Sequence, residues 1–424
     1  MSDSTLHTIY RLMLTAREID KVSREMTQRG EAFFHLSGAG HEASVALAPH
    51  LTSDDWLHPH YRDKALLLAR GISIRSFFNS MLCNAQSCSR GRRMSAFFGD
   101  RERKVLSMVT PTGNNALQAV GVAAAVKDQS SHPIVLCGIG DGTSQQGEVL
   151  EAIGEAARET LPVLFMIQDN RWAISTSTEG RTFFSLPDGD ADSYCGIPIR
   201  RLDGRDAVSA LDGFGEIVSR MRRERRPEIV IFSVERLDSH TNADDHKVYR
   251  TDEDLQHASQ SGDPITRLED YLLRRGTGAE DLQKIRQEVE SEVAQAESEA
   301  AATEMPATES GAQSPVAIEL THPSVEIRGE ETAQTLAMGQ AIRQVLENQL
   351  ESDPRLFLSG QDIEDPKGDV FGVTRGLSTA FEGRVRNATL SESTIVGTAI
   401  GRALAGQRPV AFIQFADFLP LAYN

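Results

Sequence analysis

Between positions 138 and 170 the chain reads GIGDG after one apolar run and IQDN at the end of the next. Asp141 and Asn170 stand 29 residues apart. If the two runs are strands of one right-handed βαβ unit, their carboxyl ends share an edge and the two side chains meet at the mouth of the sheet. A carboxylate, an amide oxygen and a nearby main-chain carbonyl are hard ligands suited to Mg2+ or Ca2+. So small a set leaves coordination positions for phosphate oxygens and water. Glycines flanking Asp141 would let backbone N–H groups approach a diphosphate. Two other readings fit the same letters. Gly-Asp-Gly after a strand is a common turn. Gly138 and Gly140, with Asp169 as a ribose ligand, also imitate a dinucleotide fingerprint. Its third glycine would fall at position 143, which is Thr, so hydride transfer is disfavoured.

The surrounding pattern supplies the elements such a site needs. Apolar residues recur with a period near 3.6 over 5–28, 43–50 and 64–83, as helices require. From residue 105 the pattern alternates. Asn114–Lys127 reads as a small-residue helix, Ile134–Gly140 as a strand, Glu148–Glu159 as a helix, and Val163–Gln168 and Glu228–Val234 as strands. Short, continuously apolar strands between helices predict a doubly wound parallel sheet with helices on both faces, an α/β fold.

After Leu273 the composition changes. Residues 280–331 hold 13 acidic and 3 basic residues and no aromatic. Their first part can form an exposed helix, and the remainder has the Pro, Ser, Thr and Glu content of a flexible linker. A second α/β pattern follows: helix Thr335–Leu350, strand Leu356–Gly360, helix Ile395–Ala405, strand Pro409–Gln414, and FADFLPLAYN as the opening of another helix. With two or three strands by residue 424, this second module reads as incomplete. The expected organisation is a module over 1–300, an acidic linker over 301–331, and the start of a second module over 332–424.

Composition narrows the function classes. The 424 residues carry a net charge of −17, which argues against nucleic-acid binding, since phosphate recognition needs a basic face. The one basic run, Arg220–Arg226, reads as the solvated end of a helix. No apolar run approaches the ~18 residues of a membrane span, and MSDSTLHTIY lacks the order of a secretory signal. The cysteines at 83, 88, 137 and 195 form no CxxC pair or zinc spacing, so reduced thiols in a cytoplasmic protein are expected.

GDG with Asn 29 positions after the Asp resembles the thiamine-diphosphate motif. The wider text is similar to the decarboxylating first component of the 2-oxo acid dehydrogenase complexes. Residues 5–300 resemble its α subunit, through GAGHEA at 38–43, HYRD at 60–63, GRRM at 91–94, QAVGVA at 118–123, LDGRD at 202–206 and SHTNADD at 239–245. Residues 332–424 resemble the start of its β subunit, through LSESTIVGTAIGRALAGQRPVAFIQFADF. The chain thus looks like an α–β fusion, cut short in the β-like part.

The resemblance implies a thiamine-diphosphate-binding fold and a set of roles. Asp141, the Asn170 side chain and the Trp172 carbonyl would hold Mg2+. Tyr61 and Arg62 match the pair that contacts the diphosphate, an Arg fork suiting phosphate oxygens; without the family, Arg62 reads as a surface ion pair with Asp63. Gly142, Thr143 and Gln168 fall at cofactor-binding positions, and Thr110, Pro111 and Thr112 match a loop whose backbone approaches the aminopyrimidine. Glu392 matches the glutamate that hydrogen-bonds the aminopyrimidine nitrogen and thereby governs proton removal from the thiazolium carbon; alone, Ser-Glu-Ser reads as helix capping. Phe418 matches the aromatic that stacks on the pyrimidine. His240 matches a loop histidine associated with the reaction and lipoyl transfer, and Thr241 takes the place of a serine phosphorylated in some relatives.

Three positions depart from the family. Phe97 stands where a second active-site histidine is usual. Gln168 replaces a diphosphate-contacting Arg, and Phe412 replaces a glutamate. The implied activity is oxidative decarboxylation of a 2-oxo acid, branched-chain favoured over pyruvate, with acyl transfer to a lipoyl-bearing acyltransferase partner, by a homo-oligomer. The alternative is a truncated or non-catalytic subunit that acts only by assembling with partners.

Overall fold

The computed structural model describes residues 3–307 and 335–423. Its main sheet has six strands in the order β1-β2-β3-β10-β9-β8. These are β1 (Trp56–His58), β2 (Val135–Gly140), β3 (Val163–Asp169), β8 (Ser193–Tyr194), β9 (Ile197–Asp203) and β10 (Glu228–Ser233); the two-residue strands β4 to β7 form hairpins between residues 172 and 190. All neighbours are parallel except β8 and β9. The central strands β2, β3 and β10 are largely apolar because both their faces are covered. Leu136, Leu164, Met166, Val230 and Phe232 join a core built with helices Asp3–Gln28 and Ala207–Glu224. Their neighbours Cys137, Ile139, Phe165, Ile167 and Ile231 face helices Asn114–Val126 and Gly147–Glu159. This is the expected α/β sheet.

Several elements differ from the pattern reading. The segment 64–83 is two helices, Lys64–Ala69 and Ile74–Met81, because Gly71 turns the chain at φ 97° and Ser73 caps the second by accepting the Ser76 N–H. Residues Glu42–His50 form a 3-10 helix with Pro49 inside. Helix Ala279–Ala301 is not simply exposed. Leu282, Val289, Val293, Ala296 and Ala300 are buried, and Arg11 of the first helix pairs with Glu288 (2.8 Å) and Glu292 (2.6 Å) on its rim.

The basic run is not a solvated helix end either. Arg222 reaches the fully buried Asp55 at 2.6 Å, Arg220 pairs with Glu228 at 2.5 Å, and Arg225 donates to the carbonyls of Pro133 and Lys127. The flexible-linker expectation falls on residues of which 308–331 lie outside those described.

The second module contains a parallel three-stranded sheet, β12-β11-β13, from β11 (Leu356–Gly360), β12 (Val385–Asn387) and β13 (Arg408–Phe412). Its helix Glu392–Leu404 starts where the Ser391 hydroxyl accepts the Thr394 N–H. The capping role expected of Ser391 is therefore present, with Glu392 as the first helical residue. This helix crosses Asn114–Val126 with almost no side chain between them. A Cβ on Gly121 would lie 2.1 Å from the Thr398 carbonyl oxygen, and one on Gly401 2.0 Å from that of Gln118.

Candidate functional site

The register of the sheet sets the site. Gly140, the last residue of β2, pairs with Gln168 near the end of β3. Asp141 and Asn170 each follow their strand directly, so they emerge side by side at the carboxyl edge. Both line a cleft of about 380 Å³. Tyr61, Arg62, Thr110, Thr112, Gly142, Thr143, Trp172 and His240 line the same cleft. Pro111 is exposed and is not part of the lining.

Asp141 is buried and accepts from the Gly142 N–H at 2.8 Å and the Thr178 hydroxyl at 3.0 Å. Asn170 accepts the Trp172 N–H on Oδ1 at 3.1 Å and directs Nδ2 toward His41 Nε2 at 3.4 Å. Burial raises the Asp141 carboxyl, and burial plus the neighbouring Asp141 pushes Asp169 up to about 6. A buried and a half-buried carboxylate facing each other are relieved by a cation, and the surrounding donors are all oxygen, as Mg2+ prefers. Among the described residues no three His, Cys, Asp or Glu side chains converge as a metal cage. An ion here would take the rest of its shell from phosphate and water.

Arg62 occupies the opposite wall. It is buried rather than exposed, and it forms no ion pair with Asp63. Its guanidinium donates to the Ser37 carbonyl, to His240 Nδ1 at 3.0 Å and to the His240 carbonyl at 3.3 Å, and it lies over the Tyr61 ring. No carboxylate partner for it occurs among the described residues. A buried cation in a cleft without an acid beside it favours an anionic ligand. Gly142 is packed closely against Ala173, since a Cβ there would lie 2.5 Å from Ala173 Cβ.

Gln168 does not reach the cleft. It is fully buried behind it, its Oε1 accepting from His41 Nδ1 at 2.6 Å and its Nε2 donating to Asp63 Oδ1 at 2.5 Å. Its amide is turned away from the cleft into bonds that fix His41 and, through it, Asn170. Glu392 and Phe418 also lie outside this lining. Glu392 is buried at its helix start, and Phe418 is half-buried, edge-on to Phe415 with centroids 5.7 Å apart.

Sequence reasoning missed His41 and His60 as individual residues, although both lie inside the quoted GAGHEA and HYRD runs. Phe97 was noted only as a departure; it is buried and lines the cleft with Phe34 and Met94, giving that end an apolar wall.

The fold and cleft define an α/β protein with a cleft at the carboxyl edge of a parallel sheet, lined by Asp141 and Asn170 on one side and Arg62 on the other. The family model described as dehydrogenase E1 component matches residues 10–309, and the one described as transketolase, pyrimidine binding domain matches residues 334–424. The chain belongs to the dehydrogenase E1 component family. It is 29% identical over 276 residues to 2-oxoisovalerate dehydrogenase subunit alpha, mitochondrial, of Caenorhabditis elegans, covering 65% of this chain and 64% of the relative. The human protein of the same name is 27% identical over 65% of this chain and 62% of its own length. The 3-methyl-2-oxobutanoate dehydrogenase subunit alpha of Mycobacterium tuberculosis is 30% identical over 292 residues, covering 67% and 75%. The chain thus spans a little under two thirds of the animal relatives. The expected likeness to α subunits of branched-chain type is borne out. Among the described residues no helix is long and apolar enough to cross a membrane.

Proposed function

We propose that this chain takes part in thiamine-diphosphate- and Mg2+-dependent oxidative decarboxylation of a 2-oxo acid, with the acyl group passed to a lipoyl-bearing acyltransferase. The observation that carries the reading is the pairing of buried Asp141 and Asn170 on one side of the cleft with the acid-free Arg62 on the other. The match to an E1 module followed by a pyrimidine-binding module supports the cofactor. The names of these relatives, 2-oxoisovalerate and 3-methyl-2-oxobutanoate dehydrogenases, support branched-chain over unbranched substrates.

When bound, thiamine diphosphate supplies the carbon nucleophile and the electron sink that such a decarboxylation needs. The chain's own residues do the rest. Asp141, the Asn170 amide oxygen and the Trp172 carbonyl would hold the metal. Arg62, Tyr61 and the backbone of Gly142 and Thr143 would bind the diphosphate, and the loop Thr110–Thr112 would flank the ring. His240 receives a hydrogen bond on Nδ1 from Arg62, so its proton sits on Nε2, available to donate within the cleft. Phe34, Met94 and Phe97 would exclude water and favour an apolar substrate chain.

Glu392 and Phe418 belong to a cofactor site in this reading but are absent from the cleft of their own chain, which supports a homo-oligomer whose site combines two copies. The same observation favours a second reading, a non-catalytic subunit that acts by assembling with partners. Release of CO2 from carboxyl-labelled 3-methyl-2-oxobutanoate, with thiamine diphosphate, Mg2+ and an artificial electron acceptor, separates the two. Turnover exceeding that with pyruvate supports the first; cofactor binding without turnover of any 2-oxo acid supports the second.

A further inference from the structure

His60 lines the cleft and its chemistry is so far unaccounted for. Its ring is buried, at 3% exposure. Nδ1 takes the backbone N–H of Arg62 at 3.4 Å, which leaves the proton on Nε2. Among the described residues Nε2 has no hydrogen-bond partner. Buried donors are nearly always satisfied, and those that are not commonly await a ligand or water. The ring is also flanked on two sides: its centroid lies 3.9 Å from that of Tyr61 and 6.2 Å from that of His41, the latter ring nearly parallel to it at 18°.

The free donor has a definite address. A Cβ on Gly140 would stand 3.2 Å from His60 Nε2 and 3.9 Å from Thr143 Oγ1. Nε2 therefore lies against the residue that precedes Asp141, in the corner where Gly142 and Thr143 also line the cleft. Burial, reinforced by Arg62, His41 and His240 and opposed by the nearby Gln168 amide, holds the imidazole pKa well below its usual value. Gln168, which the family pattern puts at a diphosphate contact, is turned away toward His41 and Asp63.

We propose that His60 Nε2–H is a diphosphate hydrogen-bond donor of this site, a contact in this chain that Gln168 does not supply. The inference rests on the cofactor reading above. It is tested by calorimetric titration of thiamine diphosphate, and separately of inorganic pyrophosphate, each with Mg2+, into the full chain and into His60→Leu and His60→Gln. The amide of Gln can restore a donor at the same reach. His60→Leu is expected to weaken both ligands about tenfold, and His60→Gln to recover most of that loss. The unliganded Leu variant should melt no lower than the parent, because an unsatisfied buried donor has been removed.

Equal affinity of His60→Leu and the parent overturns the inference. So does a Gln variant as weak as Leu combined with a lowered melting temperature in both, which would mark a purely structural ring. A parent chain that binds neither ligand overturns the cofactor reading itself, an outcome distinct from the other two.

Discussion

Arg62 donates from Nη2 to Nδ1 of His240 at 3.0 Å, and this contact fixes both the tautomer and the charge of the histidine. Burial first, then the positive charges of Arg62 and Arg236, lower the His240 pKa to about 4. Between about 6.5 and 4 the unfolded chain binds a proton that the folded chain refuses, so folding stability from this group is present above 6.5 and lost as pH falls toward 4. A histidine-detected NMR titration of the unliganded protein should find the His240 midpoint near 4. A midpoint between 6 and 7 would contradict the geometry.

The crossing of helices Asn114–Val126 and Glu392–Leu404 depends on glycine at the contact. The Cβ of Gly401→Ala would overlap the Gln118 carbonyl oxygen, backbone that has no rotamer with which to yield. The helices must separate, at about 1–3 kcal/mol of stability by the usual magnitude of overpacking. Urea denaturation of Gly401→Ala is compared with Gly147→Ala, a helical glycine whose added Cβ would meet nothing within 4 Å. An unchanged midpoint for Gly401→Ala would show that the helices are not in contact.

Gln168→Leu removes an amide that joins His41 to Asp63. His41 Nδ1 then has no acceptor and Asp63 loses a donor. Leaving buried polar groups unpaired costs about 1–3 kcal/mol each. Asp63, already pushed up to about 6 by burial, should rise further without the Gln168 hydrogen bond that opposes the shift. Chemical denaturation at pH 7 is the check, and a Leu variant as stable as the parent would refute the network.

Arg222→Ala strips the fully buried Asp55 of its guanidinium, leaving only backbone and Thr52 donors. Breaking one side of a buried pair costs about 3–5 kcal/mol, reduced here because Arg222 is 22% exposed. A loss of roughly 2 kcal/mol or more is expected. Arg223→Ala, whose side chain is 68% exposed, should change little. Equal effects would restore the view of this run as solvated surface.

Much of this could be read in the letters, and what could not has physical reasons. Strands β2, β3 and β10 are largely apolar and announce themselves; β1 has three residues and β9 reads Ile-Pro-Ile-Arg-Arg-Leu-Asp, so neither carries enough pattern. Asp141 and Asn170 were placed together by topology alone, because parallel strands must end on one edge. Gln168 was misplaced because only its neighbours in space, His41 and Asp63, show where its amide goes. The Arg220–Arg226 run was misjudged because its acidic partners Asp55 and Glu228 lie elsewhere in sequence. His60 went unnoticed because nothing in a sequence marks an atom that lacks a partner.

The central claim is a metal-dependent diphosphate site at the edge of the sheet, and calorimetric titration of thiamine diphosphate into the purified chain tests it most directly. Saturable binding that requires Mg2+ and is lost in Asp141→Ala is the expected result. Full affinity without Mg2+, or an Asp141→Ala variant that binds as the parent does, would contradict it.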